Sequence, residues 1–475
     1  MALSRTTAET TGAGRSDRLT REILVLAGVV ILGTIMTVLD LTVVNVAIPT
    51  LGSDLAASIP AIQWVLTGYM LAFATVIPLT GWAAERFGAK RVWLAALLLF
   101  LAGSVLGAAA WSIGSLIAFR VLQGLGAGMI LPVGQTILAQ AAGPQRMGRV
   151  MSVIGVPMLL APVFGPVIGG AIISAASWRW IFLINLPIGA AALLAAARLL
   201  PDTRPRLGQR LDLRGLALLS PGIAVFLYGM SEAGSHGGFG SARTTIAALA
   251  GLALIALYFW HATALGKDAL IDVGLLRRRG FATAAALNFL LVIALFGSLI
   301  LIPLYYQVVR QAGPLQIGLL LAPQGIGAAL ALPLAGSLTD KIGARSVASA
   351  GMVIAMLGML AYTQVGPRTS DGYLAVALLV IGAGIGATIT PSMAAASQAV
   401  SRAETPQAAS ALNTIQRIGG AIGTTLFAII LQHTITANLP GHRGGTAAIA
   451  TLSQHAPVRT AAALVPALLL PRPRR

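Results

Sequence analysis

Long apolar runs recur along the whole chain and alternate with short polar or glycine-rich loops. Each run of about 20 residues can cross the roughly 30 Å hydrocarbon core of a bilayer as one helix. A membrane β-barrel would instead show short segments of alternating polarity. The pattern therefore predicts an all-α, multi-pass integral membrane protein. The predicted spans lie near residues 23–51, 62–84, 92–110, 113–138, 151–174, 181–200, 213–232, 244–264, 281–305, 316–338, 346–366, 373–395 and 410–435.

The last apolar segment, 460–470, does not fit this series. It offers only about ten apolar residues, whereas about 17 are needed to cross a bilayer without distortion. Pro466 interrupts it, and the basic tail 471–475 follows. A fourteenth span is required to bring that tail to the same side as residues 1–22. Two alternatives stay open, namely a short, strained helix that borrows residues from 451–459, or a truncated or altered C-terminus.

The charge distribution indicates membrane orientation rather than a nucleic-acid partner. The net charge is +18, but only 10% of the residues are charged and 57% are hydrophobic. Most of the 32 Lys and Arg residues fall in alternate loops and in the two tails. Cytoplasmic loops of membrane proteins carry this excess of basic residues. We therefore expect a multi-pass protein of the inner or plasma membrane, in contact with the lipid bilayer and with a cytoplasmic N-terminus.

The chain lacks the residues that several kinds of chemistry require. The chain has no cysteine, so it has neither a disulfide nor a thiolate metal site. Its five histidines show no metal-ligand spacing. No G-x-x-x-x-G-K-[ST] phosphate-binding loop and no triad-like set are present, which argues against ATP drive and against an enzyme. We expect no catalytic residues, no metal and no cofactor.

An internal repeat divides the chain into two halves. The segment 81–92, GWAAERFGAKRV, aligns with 336–347, GSLTDKIGARSV, at an offset of 255 residues. Repeated halves are typical of secondary transporters, whose binding site lies near the membrane midplane between them. We predict a cytoplasmic tail at 1–22, an N-terminal six-helix half at 23–200, a basic loop with two extra spans and an inner loop at 201–280, and a C-terminal half at 281–475 with a short or altered last helix.

Two opposite charges lie inside predicted spans. Asp40 is in span 1 and Arg120 is in span 4, and a charge at mid-bilayer costs roughly 2.5–3.5 kcal/mol on insertion scales. They form either a proton-coupling pair or a static structural ion pair. Gln123 and Gly124 share the face of span 4 that carries Arg120, by their i, i+3 and i+4 spacing. Arg417, in span 13, is expected to extend its long side chain to the membrane interface rather than to contact a substrate.

Two further stretches suggest moving parts. Span 5 contains GVPMLLAPVFGPVIGG at 155–170, in which Gly165 and Gly169 form a G-x-x-x-G pair. Such a face allows helices to approach to backbone contact, either for rocking or for plain tight packing. The loop 85–91 either latches an inner gate by bonding the free backbone groups of a facing helix or is a solvated turn. Its recurrence at 336–347 favours the latch.

These motifs together resemble those of the major facilitator superfamily, and specifically its fourteen-span drug:proton antiporters. The span-1 motif is LDLTVVNVAIP at 39–49, and the span-4 motif is RVLQGLGAG at 120–128. The inner-loop motif at 81–91 departs from the usual pattern, because Glu85 stands where Asp is usual. The antiporter motif of span 5 is APVFGPVIGG at 161–170, and SWRWIFLINLP at 177–187 is also typical. The resemblance covers about residues 23–435.

The resemblance implies a major facilitator fold of two six-helix halves plus two extra central helices. It also implies alternating access, in which inward protons drive the export of a small, usually amphipathic compound. The site residues that we assign with it are Asp40 and Arg120 for proton coupling; Asn45, Gln123 and Gly124 in the substrate cavity; Gly81, Glu85, Arg86, Gly88, Lys90, Arg91, Asp340 and Lys341 at the inner gate; and Gly165, Pro166, Gly169 and Gly170 at a rocking interface.

The sequence thus predicts a proton-coupled antiporter that exports drugs or metabolites, working as a monomer. Its partners are a small-molecule substrate and protons, with no nucleic acid. Span 10, at 316–338, has no acidic residue before its inner end, so dicationic drugs are less favoured than for relatives that carry one there. The alternatives are a dedicated exporter of one endogenous product, as in antibiotic self-resistance, and an inactive remnant with an altered C-terminus.

Overall fold

The computed structural model describes residues 20–143, 146–202, 205, 210–235, 238–306, 310–312, 314–362, 369–401 and 403–438. Helices account for nearly all of these residues, and eleven stretches are long and apolar enough to cross a membrane. The helices are α1 (Arg21–Asp54), α2 (Ile59–Phe87), α3 (Ala89–Ala108), α4 (Ile113–Ala142), α5 (Met147–Ala175), α6 (Trp180–Leu183), α7 (Asn185–Leu199), α8 (Leu213–Ser235), α9 (Ala242–Leu265), α10 (Gly274–Arg277), α11 (Arg279–Leu304), α12 (Pro314–Ile342), α13 (Ala344–Tyr362), α14 (Asp371–Gln398) and α15 (Thr405–Asn438).

The helices confirm the predicted all-α membrane fold. All thirteen of the predicted spans fall on one helix each, except that span 6 is divided into α6 and α7 at Ile184. The apolar runs were sufficient for this prediction because a chain in lipid must satisfy its backbone groups internally, and a helix does so within one segment. The questions about a fourteenth span at 460–470 and about the basic tail concern residues outside the described ranges.

Glycines allow the helices of the first half to pack at backbone distance. A Cβ on Gly124 of α4 would collide with the backbone carbonyl of Tyr69 in α2, and one on Gly128 would collide with the carbonyl of Phe73. The two helices therefore cross with their backbones in contact, as small residues permit in membranes. This crossing fixes the face of α4 that carries Arg120 against α2.

The second half repeats this construction, in agreement with the internal repeat. A Cβ on Gly386 of α14 would lie 2.7 Å from the carbonyl oxygen of Ala328 in α12. The turn between α2 and α3 passes through Gly88 at φ +91°, and the turn between α12 and α13 passes through Gly343 at φ +87°. Only glycine adopts this left-handed conformation without strain. These two glycines are separated by the 255 residues of the sequence offset.

The extra helix α8 contacts both halves. Ser220 of α8 donates a hydrogen bond to the carbonyl of Thr75 in α2, at 2.7 Å. Thr425 of α15 donates one to the carbonyl of Met230 in α8, also at 2.7 Å. Helix α9 packs against α8 through glycines, with Gly229 against Ala248. Helix α8 thus packs against both α2 and α15, one helix from each half.

Candidate functional site

A cluster of polar side chains is buried inside the first half, and we call it the buried polar network. It comprises Asp40 of α1, Ser104 of α3, Arg120 and Gln123 of α4, and Asn185 of α7. The side chains of Asp40 and Arg120 are both 0% exposed. A charged group inside a bilayer is costly unless it is paired, so these partners must satisfy one another.

Asp40 accepts three hydrogen bonds. Arg120 Nη1 lies 2.6 Å from Asp40 Oδ2, which makes a charge-assisted contact. Oδ1 accepts from Gln123 Nε2 and from Asn185 Nδ2, both at 2.9 Å. Gln123 also accepts from Arg120 Nη1 through its Oε1, at 2.7 Å. These three bonds use both acceptor sites of Oδ1 and one of the two on Oδ2, so the carboxylate is held in its charged form by donors from α4 and α7.

An interruption between α6 and α7 brings Asn185 into the network. The two helices are separated at Ile184, and Pro187, one turn further on, has no backbone N–H to continue the ladder. The carbonyl of Phe182, next to this interruption, accepts a hydrogen bond from Ser104 Oγ at 2.8 Å. Ser104 Oγ in turn accepts from Asn185 Nδ2 at 3.0 Å. The interrupted helix therefore shares its polar groups with α3 and with Asp40.

Arg120 is also held by α2. Its Cζ lies 4.0 Å from the centre of the Tyr69 ring, within the range of a cation–π contact. Its Nε donates to the carbonyl of Val65 at 3.4 Å. Two buried polar atoms beside this contact, Arg120 Nη2 and the Tyr69 hydroxyl, have no hydrogen-bond partner in the described part of the chain. The network is thus complete around Asp40 and incomplete on the side that faces Tyr69.

The structure brings some of the predicted site residues together and separates others. Asp40, Arg120 and Gln123 contact one another, and Gly124 lies at the α2–α4 crossing beside them. Asn45, assigned to the substrate cavity, is exposed on α1, one turn beyond these buried residues. Asn185 and Ser104 were not among the predicted site residues. Asn185 is a single amide close to Pro187 inside an apolar span, and this pattern could have indicated a buried polar role.

The two halves contact each other at the end of the molecule that carries the loops 85–91 and 340–345, which we call the basic end. A Cβ on Gly81 of α2 would lie 3.1 Å from the Cα of Gln407 at the start of α15. Glu85, one turn further along α2, is buried. In the matching position of the repeat, Asp340 of α12 forms a 3.0 Å ion pair with Arg149 of α5. Each repeated motif therefore meets the first turns of a helix from the other half.

The remaining residues assigned to the inner gate lie around these contacts. Lys90 forms a 3.4 Å ion pair with Asp202, whose side chain is 85% exposed. Arg86 is half-buried, whereas Arg91 and Lys341 are exposed. Gly88 forms the left-handed turn described above. These cations are therefore at the surface of the basic end.

Two polar contacts close the interface further into the membrane. Ser410 of α15 donates to the carbonyl of Ile77 in α2, at 2.8 Å. Asn413 Nδ2 donates to Gln135 Oε1 of α4, at 2.7 Å. Asn413 lies eight residues into α15, which is about 12 Å along the helix axis. The halves are therefore held together over roughly the first third of the membrane thickness at the basic end.

The glycine face of α5 packs mainly within the first half. A Cβ on Gly165 would collide with the side chain of Thr42 in α1, and one on Gly169 would lie 3.2 Å from Val43 Cγ1. Gly170 has nothing within 4 Å of an added Cβ. The contact of α5 with the other half is nearer the basic end, where Gly155 lies against Leu332 of α12. The side chain of Pro166 is outside the described part of the structure.

Arg417 does not reach for the membrane interface, and the expectation from sequence was wrong on this point. Its Cζ lies 4.0 Å from the centre of the Phe73 ring in α2. It is only partly exposed. The side chain is held between the two halves because an aromatic ring of the opposite half attracts the guanidinium.

Two repeated helical halves, a helix between them and a charged network inside the bundle are the architecture of a membrane transporter. The chain belongs to the Major Facilitator Superfamily, whose pattern matches residues 30–424. It is 42% identical over 420 residues to the Multidrug resistance protein B homolog of Mycobacterium tuberculosis (strain H37Rv), covering 88% of this chain and 78% of that protein. It is 32% identical over 399 residues to the Multidrug export protein EmrB of Haemophilus influenzae, covering 83% and 78%.

Two solved structures share the fold. The human organic anion transporter MFSD10 matches with a TM-score of 0.64 at 19% identity, over 95% of this chain and 100% of that chain. A double-tryptophan mutant of XylE matches with a TM-score of 0.64 at 14% identity, over 95% and 96%. The predicted family and fold are therefore confirmed.

Proposed function

We propose that this protein exports small amphipathic compounds in exchange for protons. The observation that carries the proposal is the ion pair of Asp40 and Arg120, fully buried in an apolar bundle. Ionisable groups at such positions in transporters mark proton and substrate pathways. The relatives named for multidrug resistance and multidrug export support the substrate class.

The orientation follows from the basic loops. Because cytoplasmic loops carry the excess of Lys and Arg, the basic end faces the cytoplasm in this proposal, and so does the N-terminus. The contacts at Gly81, Ser410 and Asn413 close the two halves at that end. In this conformation the inner gate is therefore shut.

The contacts of Asp40 provide a way to couple proton binding to a movement of the helices while the inner gate is shut. Protonation of Asp40 removes its negative charge and places an O–H donor beside the N–H groups of Arg120, so the charge-assisted contact between the two side chains is weakened. Its protonation from outside releases Arg120 or one of the amides of Gln123 and Asn185. The freed guanidinium shifts on the Tyr69 ring, and α4 moves with it relative to α2. This loosens the inner contacts and opens the transporter inward, where the proton is exchanged for substrate.

The repeated motifs act as two latches in this cycle. One joins Gly81, one turn before the buried Glu85, to the start of α15, and the other joins Asp340 to Arg149 at the start of α5. Arg86, Lys90, Arg91 and Lys341 surround the latches with positive charge, and Gly88 sets the turn. The packing of Gly165 and Gly169 on α1 allows α5 to rock against the helix that carries Asp40.

The test is transport driven by a proton gradient in inverted membrane vesicles, with a panel of fluorescent amphipathic dyes. Wild-type protein should take up at least one dye, and an uncoupler should abolish that uptake. Asp40→Asn should remove the gradient-driven component. The matched control is Asp54→Asn, which removes an exposed carboxylate at the end of the same helix and should transport normally. Gradient-dependent uptake by Asp40→Asn at the wild-type rate would refute the coupling role of the network.

A further inference from the structure

A second cation, Arg417, lies half-buried at mid-depth between the halves. Arg417 is 12 residues beyond Thr405, the first residue of α15, which is about 18 Å along the axis. Its partner Phe73 is 14 residues before the end of α2, about 21 Å from the same end of the bundle. The Asn413–Gln135 contact, one turn nearer the basic end, closes the interface beneath it. Arg417 therefore lies between the halves, one turn beyond the last polar contact described above that joins them at the basic end.

Arg417 carries a charge that no group among the described residues neutralises. Within the described residues, its guanidinium has the Phe73 ring as its contact and no carboxylate at ion-pair distance. The neighbouring polar groups on α15 are already engaged, since Asn413 bonds Gln135 and Gln416 bonds Asn288. An unpaired charge inside the membrane is energetically unfavourable. A compensating anion would remove that cost.

Tyr69, the neighbour of Phe73 on α2, has an unused polar atom. Tyr69 precedes Phe73 by one turn, so the two rings lie on one face of the helix, with centroids 6.2 Å apart. The Tyr69 hydroxyl is buried and has no hydrogen-bond partner among the described groups. It lies within electrostatic range of both Arg120 and Arg417. The Tyr69 hydroxyl of the first half and the Arg417 guanidinium of the second half thus lie near each other, and neither has a hydrogen-bond acceptor among the described groups.

We infer that Arg417 and the Tyr69 hydroxyl form the anion-binding part of the substrate site, and that this transporter prefers amphipathic compounds with a carboxylate. A guanidinium presents paired N–H donors that match a carboxylate bidentately, and the phenolic hydroxyl adds a third donor. Because the donors belong to α15 and to α2, a bound carboxylate connects the two halves. It also lies beside the Tyr69–Arg120 contact, which places the substrate next to the coupling network.

This inference rests on the proposed export function, and binding and transport test the two separately. The probes are three dansyl compounds that share one fluorophore, namely dansylglycine (anionic), dansylamide (neutral) and dansylcadaverine (cationic). Their binding to purified protein in nanodiscs is measured by equilibrium dialysis, with subtraction of empty nanodiscs. Wild type should bind dansylglycine about 10- to 100-fold more tightly than dansylamide, the factor expected for charged hydrogen bonds.

The variants separate recognition of charge from general packing. Arg417→Gln should abolish the preference for dansylglycine, Arg417→Lys should retain part of it, and Tyr69→Phe should reduce it. The control is Arg243→Gln, which removes an exposed guanidinium that also lies over a ring, that of Tyr228, and should leave all three affinities unchanged. A merely structural role for Arg417 would lower the affinities together and keep their ratio.

Two results overturn the anion site. One is wild-type protein that binds dansylamide or dansylcadaverine as tightly as dansylglycine, and the other is Arg417→Gln with an unaltered ratio. Either result leaves proton-driven export in vesicles intact as a function. Conversely, selective dansylglycine binding without any gradient-driven uptake of the dye panel or of dansylglycine refutes the export function and leaves the binding site standing.

Discussion

Replacing Asp40 by Asn should destabilise the protein strongly, because the change leaves Arg120 charged and without a counter-ion. The amide has one acceptor oxygen and one donor group where the carboxylate had two acceptors. If the oxygen faces Gln123 and Asn185, the new NH₂ opposes Arg120 Nη1, and if the amide is reversed, it opposes the two other amides. In both orientations at least one contact pairs a donor with a donor.

The magnitude follows from the burial of the pair. Both side chains are 0% exposed, so solvent cannot replace the lost partner. Removal of one member of a buried ion pair costs about 3–5 kcal/mol, mostly because the other charge remains buried and unpaired. Replacing both members by uncharged groups is often close to neutral. The double variant Asp40→Asn/Arg120→Met should therefore be at least about 2 kcal/mol more stable than Asp40→Asn alone.

The measurement is a double-mutant cycle on purified protein, with unfolding in SDS titrations followed by tryptophan fluorescence. Asp40→Asn, Arg120→Met and the double variant are compared with wild type. All three variants should lose gradient-driven uptake. The double variant should therefore regain stability relative to Asp40→Asn without regaining transport. Free-energy changes that add to within about 0.5 kcal/mol would show that the two charges do not depend on each other, and the reasoning from burial would be wrong.

Two further predictions concern packing and pH. Gly165→Val should impair transport, because an added side chain meets Thr42 of α1, whereas Gly170→Val, which meets open space, should transport normally; equal rates in vesicles would contradict the packing argument. The Arg278 guanidinium, hydrogen-bonded to Glu404 at 2.6 and 2.9 Å, lowers the pKa of Glu404 to about 2. A lowered pKa makes this contact stabilising above about pH 4.5 and lost as the pH falls towards 2. Because both side chains are partly exposed, the effect should be below about 1 kcal/mol. Glu404→Gln should abolish this part of the pH dependence of the unfolding temperature. If the variant and the wild type show the same pH dependence, the stabilising role of the Arg278–Glu404 contact is refuted.

The sequence predicts the helices and the coupling pair for the same physical reason. Charges are so rare in the apolar runs that Asp40 and Arg120 stand out, and the cost of burying each alone makes a pair the expected solution. Their 2.6 Å contact agrees with that expectation. The full set of partners was not predictable from spacing, since Ser104 and Asn185 come from other helices and are uncharged. Their positions depend on the interruption at Ile184, which breaks the helical period of span 6.

Arg417 shows the limit of local reasoning more clearly. From the sequence of α15 alone, a long, positively charged side chain twelve residues from the helix start can lie either among the lipid headgroups or in the protein interior. The choice depends on Phe73, which is distant in sequence and belongs to the other half. Only the packing of α2 against α15, set by Gly81 near one end and by the Ser410 hydrogen bond, brings the ring to the guanidinium.

The charges of the two halves differ, although the backbone repeats. In our proposal the repeat supplies a latch from each half, at Gly81 and at Asp340, so closure of the basic end depends on both. The ion pair of Asp40 and Arg120 belongs to the first half, and the cation that the second half presents to it, Arg417, has no protein counter-ion among the described residues. In our proposal the proton therefore acts on one half and the substrate anion is held by the other. Because α2 contacts both cations through Tyr69 and Phe73, it is the helix on which the two binding events meet.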